Sequence, residues 1–277
     1  MLESLINFDE IHRKPYIMFI WSIVVCSIAI LVSTQVAYSV DVAGTSFSLG
    51  GFFAVLFTII PSVYFITLMI KREEAFEEKE IEKKYKKSFW HRHEQNIYIL
   101  LLFFAGLTLA FALWSMVLPE NFFQIQSLKI SDVRGAITGL EIGPSTLEGY
   151  AINEANFFNR VLMNNLQVLV FAFIFSFIFG AGSVFIIAWN ASVLGVYIGQ
   201  LSKVLWEVPI IGLAFLPHGI PEIAGYIAAS LSGGLLSAAI IRKNKPYVLR
   251  MVAFESLKIF MLAIGLIVLG AFIETYV

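Results

Sequence analysis

Apolar residues along this chain come in long unbroken blocks rather than in the one-sided stripes of a water-facing helix. Crossing a hydrocarbon core of about 30 Å takes about 20 apolar residues in a helix. Six blocks reach that length, at 16–38, 50–70, 97–118, 166–188, 219–241 and 251–273. A seventh apolar stretch, 190–217, is interrupted by Gln200, Lys203, Glu207 and Pro209. Arg13 and Lys14 precede the first block, as they would a secretory signal. That block is longer than a signal's apolar core and no small-residue cleavage site follows it, so it is expected to remain as an anchor.

Basic residues set the orientation, because Lys and Arg accumulate on the cytoplasmic side of membrane spans. Arg13 and Lys14 lie before the first block, eight Lys and Arg lie in 71–93, and Arg242, Lys243, Lys245 and Arg250 follow the sixth. The 39–49 link has none, and 119–165 has only Lys129, Arg134 and Arg160. Placing 14 of the 19 basic residues inside puts the N-terminus in the cytoplasm and Glu274 outside. Block 219–241 must then begin outside, so 190–217 has to cross once. It is expected to do so as a helix from Asn190 to about Lys203, followed by a broken or re-entrant stretch to Pro217. The expected fold is all-α: a polytopic bundle of about seven transmembrane helices, broken before Pro217.

Composition excludes the soluble classes. Apolar residues make up 58% of the 277 and charged ones only 14%, against about 25% charged in ordinary globular chains. Lipid must therefore solvate most of the chain, which is read as a multi-pass protein of the cell membrane. Charges are segregated rather than pooled, so nucleic acid is not an expected partner. The single Cys26 excludes an intramolecular disulfide, and inside an apolar run it reads as an inert buried or lipid-facing thiol. No Ser–His–Asp set, HExxH, GxSxG or phosphate-binding loop is present, so no catalytic residue, cofactor or metal ligand is assigned.

Two links carry features of their own. Residues 71–94 alternate Glu and Lys, with Glu80–Lys84 and Glu82–Lys86 at the favourable i,i+4 spacing. This segment reads as a helix continuing the second span into the cytoplasm, either a solvated spacer or a docking surface. His91 and His93 lack a third ligand and read with Phe89 and Trp90 as an interfacial anchor. The 119–165 link is not polar: Phe122, Phe123, Ile125, Leu128 and Ile130 suggest a piece lying on or against the membrane face. Ser145 with Glu148 fits a capping box, predicting a helix through Phe157, Phe158 and Val161 to Asn164 that feeds the fourth span. This link is either a lid over the bundle, a partner platform or a gate.

Polar residues at membrane depth are costly, which makes them functional candidates. The densest set is Leu216-Pro217-His218-Gly219-Ile220-Pro221-Glu222. Pro221 is expected in the first turn of a helix, where it sacrifices no hydrogen bond, and His218 and Glu222 then share one face. Glu274 can approach from the outer end of the last span. Asn164, Asn165 and Asn190 bracket the fourth span. These six residues form the candidate polar cluster, with three roles open: capping the broken helix, relaying protons or ions, or forming a metal or hydrolytic site. Gly180 with Gly182, and Gly233 with Gly234, read as sites of close helix approach, within the chain or in a homodimer. Glu255 and Lys258 are expected to pair.

The run Phe89-Trp90-His91-Arg92-His93 leads into a Phe-rich span ending Leu118-Pro119. With Trp189-Asn190-Ala191-Ser192 and Gly195, Pro217-His218-Gly219 with Glu222, Gly233-Gly234 and Ala271-Phe272-Ile273-Glu274, it resembles archaeal members of the SpoIIM (stage II sporulation protein M) family. The resemblance covers about 88–277 and implies two parts: an N-terminal two-span hairpin with its charged helix, 1–87, and a SpoIIM-like membrane domain, 88–277. It implies a membrane fold, and the sporulation member is understood as a scaffold recruiting cell-wall hydrolases during engulfment. A fold does not transfer an activity. The expected role is a non-catalytic scaffold that recruits protein partners through 71–94 or 119–165. The alternative is a transporter, channel or lipid-handling protein using the polar site at the broken helix.

Overall fold

The computed structural model describes residues 8–36, 38–42, 45–82, 89–130, 154–179, 183–241 and 246–277. Helix α1 (Phe8–Arg13) leads into α2 (Tyr16–Val36), and an antiparallel hairpin of β1 (Ser39–Val42) and β2 (Thr45–Ser48) joins α2 to α3 (Gly50–Glu82). After α4 (Phe89–Val117), a 3-10 turn at Glu120–Phe123 runs into the short helix α5 (124–130). The remainder is α6 (Glu154–Phe179), α7 (Ser183–Leu201), α8 (Glu207–Ala214), α9 (Leu216–Ile241) and α10 (Pro246–Tyr276). Seven described helices, α2, α3, α4, α6, α7, α9 and α10, are long and apolar enough to span a bilayer. Helix is the form these blocks take because a chain in hydrocarbon must satisfy its own N–H and C=O groups. Pro61 is accommodated inside α3, where the Thr58 and Ser62 hydroxyls donate to the carbonyls of Ala54 and Thr58 at 2.8 and 2.7 Å.

Side-chain size decides which helix is central. Helix α9 is built from small residues between Ala228 and Ala239, and 78% of its span is buried, against 28% for the Phe-rich α6. It packs most extensively on α10 and α6 and also touches α3, α4, α7 and α8. One apolar cluster is centred on α2, α3, α4 and α7, and another on α6, α9 and α10. Interhelical hydroxyls pin the second group: Ser232 Oγ donates to the Ser256 carbonyl at 2.7 Å, and Ser256 Oγ donates to the Ser232 carbonyl at 2.6 Å. In the first group Trp114 Nε1 donates to Ser27 Oγ at 3.1 Å. Cys26 is buried, and Lys258 pairs with Glu255 at 2.8 Å.

Several sequence expectations are corrected. The boundary between the fourth and fifth spans lies at 180–182, not at 189, because α6 ends at Phe179 and α7 starts at Ser183. Asn190 consequently sits midway along α7 rather than at a helix end. Helix α9 begins at Leu216, so Pro217 takes the first turn and Pro221 lies inside the helix. The interrupted stretch itself is as expected, a crossing that ends at Leu201 followed by a break, here a turn and the separate short α8. Phe122 and Phe123 do not lie on the membrane face but are buried, with Phe123 edge-on to Phe111 at 6.0 Å between ring centroids. The hairpin was not anticipated; its alternating four-residue strands, in register Ser39↔Ser48 to Val42↔Thr45, are too short to stand out in a link.

Other expectations hold. Helix α6 does run through Phe157, Phe158 and Val161 past Asn164 into the fourth span. Gly233 does mark a close approach, since a Cβ there would overlap the Phe173 carbonyl of α6. The Ser145–Glu148 capping box, Gly180 and Gly182, the pairs Glu80–Lys84 and Glu82–Lys86, and the basic link Arg242–Lys245 lie outside the described residues. Helix α3 continues past the second span as far as Glu82.

Candidate functional site

All six candidate polar residues line one cavity of about 330 Å³ at the seam between the two helix groups. Helical spacing puts them there. On α9, His218, Glu222 and Tyr226 follow at i, i+4 and i+8; on α10, Gly270 and Glu274 are one turn apart; on α7, Asn190, Val193, Leu194 and Tyr197 share a face. Helix α6 adds Arg160, Val161, Asn164 and Asn165. These positions lie near the starts of α6 and α9 and the end of α10, the end that the basic residues place outside. Asn190 and Phe104, midway along α7 and α4, carry the wall deeper.

Asn165 is the hub of the polar wall. Its Nδ2 donates to Glu222 Oε1 at 2.5 Å, and its Oδ1 accepts from Tyr226 at 3.0 Å and from Asn164 Nδ2 at 3.2 Å. Asn190 instead donates to the Ile186 carbonyl of its own helix at 2.8 Å, so it shares the wall but not the network. Gly270 makes room for Glu222: a Cβ there would lie 2.5 Å from Glu222 Cγ and 3.2 Å from the His218 carbonyl. Glu222 and Glu274 therefore face the same space. The His218 ring is held edge-on to Phe215 at 5.8 Å, and Phe215 meets Tyr197 at 5.6 Å. Gly219 N–H donates to the Phe215 carbonyl at 2.8 Å, fixing the junction of α8 and α9.

Sequence reasoning missed Tyr226, Tyr197, Arg160 and Gly270. Tyr226 was within reach, since continuing the His218–Glu222 stripe one turn further lands on it. Gly270 was not, because its role appears only when α10 meets α9. Among the described residues no group of three His, Cys, Asp or Glu side chains is placed to hold a metal ion. What the arrangement can do is tie α6 to α9 and present two carboxyl groups and an imidazole to a common, partly open cavity, with volume for about ten waters.

Seven membrane-length helices, a broken segment ahead of the central helix and a polar cavity towards one end define a polytopic membrane protein. The chain belongs to the stage II sporulation protein M (SpoIIM) family, which it matches over residues 52–277. An archaeal relative, an uncharacterized protein of Methanocaldococcus jannaschii, is 30% identical over 142 residues, covering 50% of this chain and 79% of that protein. No solved structure matches the chain.

Proposed function

We propose that this protein is a non-catalytic scaffold of the cell membrane that recruits partner proteins to a platform on the outer end of its helix bundle. The observation that carries the reading is the way two separate links are locked together. The Ser48 N–H of the hairpin donates to Gln124 Oε1 at 3.1 Å, and Phe122 packs against Gly50 at the start of α3. Two further contacts tie this layer to α7: Gln126 Nε2 donates to Ser192 Oγ at 3.4 Å, and Gln200 Nε2 donates to Ser127 Oγ at 2.8 Å. A surface ordered before binding spares its partner the entropy of ordering it. Membership of a family named for its sporulation member supports the same reading, without bringing that member's partners with it.

The test is crosslinking and purification of the full-length protein from its own cells, read by quantitative mass spectrometry. The expected result is a stoichiometric protein partner that is retained by wild type and depleted in Gln124→Ala and Phe122→Ala chains expressed at equal levels. A wild-type preparation without a stoichiometric partner, or a partner indifferent to both substitutions, overturns the proposal.

A further inference from the structure

Hydrophobicity holds no helix against its neighbour in lipid; close backbone approach and interhelical hydrogen bonds do. Both are found inside the two helix groups. In the first group a Cβ at Gly106 of α4 would overlap the Phe19 carbonyl of α2, and Cβ atoms at Gly195 and Gly199 of α7 would overlap the Thr108 and Ala112 carbonyls of α4. In the second, a Cβ at Gly233 of α9 would overlap the Phe173 carbonyl of α6, and Gly225 of α9 and Gly270 of α10 bring those two helices together. Hydrogen bonds divide the same way. Ser33 Oγ of α2 donates to the Gly50 carbonyl of α3 at 2.6 Å, Trp114 joins α4 to α2, and Gln126 joins α5 to α7. Asn165 joins α6 to α9, and Ser232 with Ser256 joins α9 to α10.

Between the groups it is apolar side chains that meet. Ile223 and Ile227 of α9 reach into the first apolar cluster and Ile186 of α7 into the second, while Phe175 of α6 stacks on Phe185 of α7 at 6.5 Å between ring centroids. Such contacts slide, since a lipid tail replaces a lost apolar neighbour at little cost. The cavity lies on this same surface. Its hydrogen-bonded wall, Asn165 with Glu222 and Tyr226, belongs wholly to the second group, while Phe104, Val193 and Leu194 of the lining belong to the first.

From this division we propose that the two helix groups are rigid bodies that shift against each other along the seam, and that the cavity is the gap whose width changes. One place where the chain passes between the bodies is the junction of α8 and α9. Val208 of α8 packs with Ala112 and Ile198 of the first group, whereas α9 is the centre of the second. Gly219, just past that junction, has nothing within 4 Å of the place a Cβ would take, so movement there meets no side chain. The scaffold platform is bonded to α7 and rides on the first body. The inference goes beyond the scaffold reading and stands without it.

The test places pairs of nitroxide labels at exposed sites of the full-length Cys26→Ala protein in nanodiscs and reads their distances by pulsed dipolar spectroscopy. Ile20→Cys with Val117→Cys samples the first group, Met163→Cys with Leu257→Cys the second, and Val117→Cys with Met163→Cys spans the seam. Each label of the spanning pair recurs in a within-group pair, which supplies its intrinsic width. The spanning distribution is expected to be wider than both others by about 1–2 Å, the scale of helix shifts at an interface. Val193→Trp adds bulk to the cavity at a half-buried position. It should remove the short-distance part of the spanning distribution and leave both within-group distributions unchanged. A spanning distribution no wider than the within-group ones overturns the proposal, and this comparison needs no change to the cavity. Within-group distances that move as much as the spanning one in Val193→Trp also overturn it. A wide spanning distribution that Val193→Trp leaves unaltered overturns the assignment of the cavity as the changing gap.

Discussion

Asn165 of α6 donates a 2.5 Å hydrogen bond to the carboxylate of Glu222 on α9 while its carbonyl oxygen accepts from Tyr226 one turn further along the same helix. One amide thus spans two turns of the most buried helix in the bundle. Hydrogen bonds between membrane helices average about 0.6 kcal/mol and reach about 1.7 kcal/mol, whereas stranding a buried partner costs about 1–3 kcal/mol. Asn165→Ala strands both Glu222 and Tyr226; Tyr226→Phe removes one donor only. Asn165→Ala should therefore destabilise the protein by about 1–3 kcal/mol and Tyr226→Phe by less, in reversible unfolding from micelles. Equal losses in the two variants would remove Asn165 from its position as hub.

The glycines make an internal contrast. A Cβ at Gly199 would overlap the Ala112 carbonyl and Ser115 Oγ of α4, and one at Gly195 would lie 2.5 Å from the Thr108 carbonyl, whereas at Gly265 nothing lies within 4 Å. Gly265→Ala should raise stability by about 0.5–1 kcal/mol through helix propensity. Gly199→Ala should lower it by about 1–3 kcal/mol, because backbone cannot give way as a flexible side chain does. A thermal-melt series over the three sites reads this directly, and a stabilised Gly199→Ala chain would contradict the close α4–α7 packing.

Ser232 and Ser256 exchange hydrogen bonds with each other's carbonyls, and their hydroxyls lie 2.9 Å apart. Each single Ala substitution breaks one bond and exposes a buried gap beside the other. A double-mutant cycle should return a coupling of about 0.5 kcal/mol or more, the range for residues in one network. Additive losses would mean that the two serines act separately.

Sidedness follows from the basic residues and can be read with cysteines. Cys26 is buried, so the native chain should resist a membrane-permeant maleimide until it is denatured. In a Cys26→Ala background, Ser46→Cys in the hairpin should react with an impermeant maleimide added outside intact cells. Glu78→Cys, beyond the second span, should react only after permeabilisation. Labelling of both from outside would invert or break the seven-span topology.

The hydrocarbon-length blocks, the extra crossing in 190–217 and the break ahead of α9 were legible in the residues, because the bilayer imposes one length and one hydrogen-bonding rule on any chain within it. The polar cluster was legible as membership: Asn164, Asn165, Asn190, His218, Glu222 and Glu274 stood out because polar groups are rare and costly at that depth. The boundary between the fourth and fifth spans was misplaced, because hydropathy does not mark where the helix ending at Phe179 gives way to the one starting at Ser183.

Local pattern therefore accounts for how many helices cross and which residues are out of place in lipid, both being properties of a segment and its solvent. It does not reach the pairing of Asn165 with Glu222, the seat that Gly270 provides for that carboxylate, the burial of Phe122 and Phe123 under a hairpin, or the existence of a cavity. Those depend on which helices become neighbours and at what rotation. Lipid tails are as apolar as the side chains they solvate, so hydrophobicity does not choose among helix partners; close backbone approach and a few interhelical hydrogen bonds do, and both come into being only when the bundle assembles.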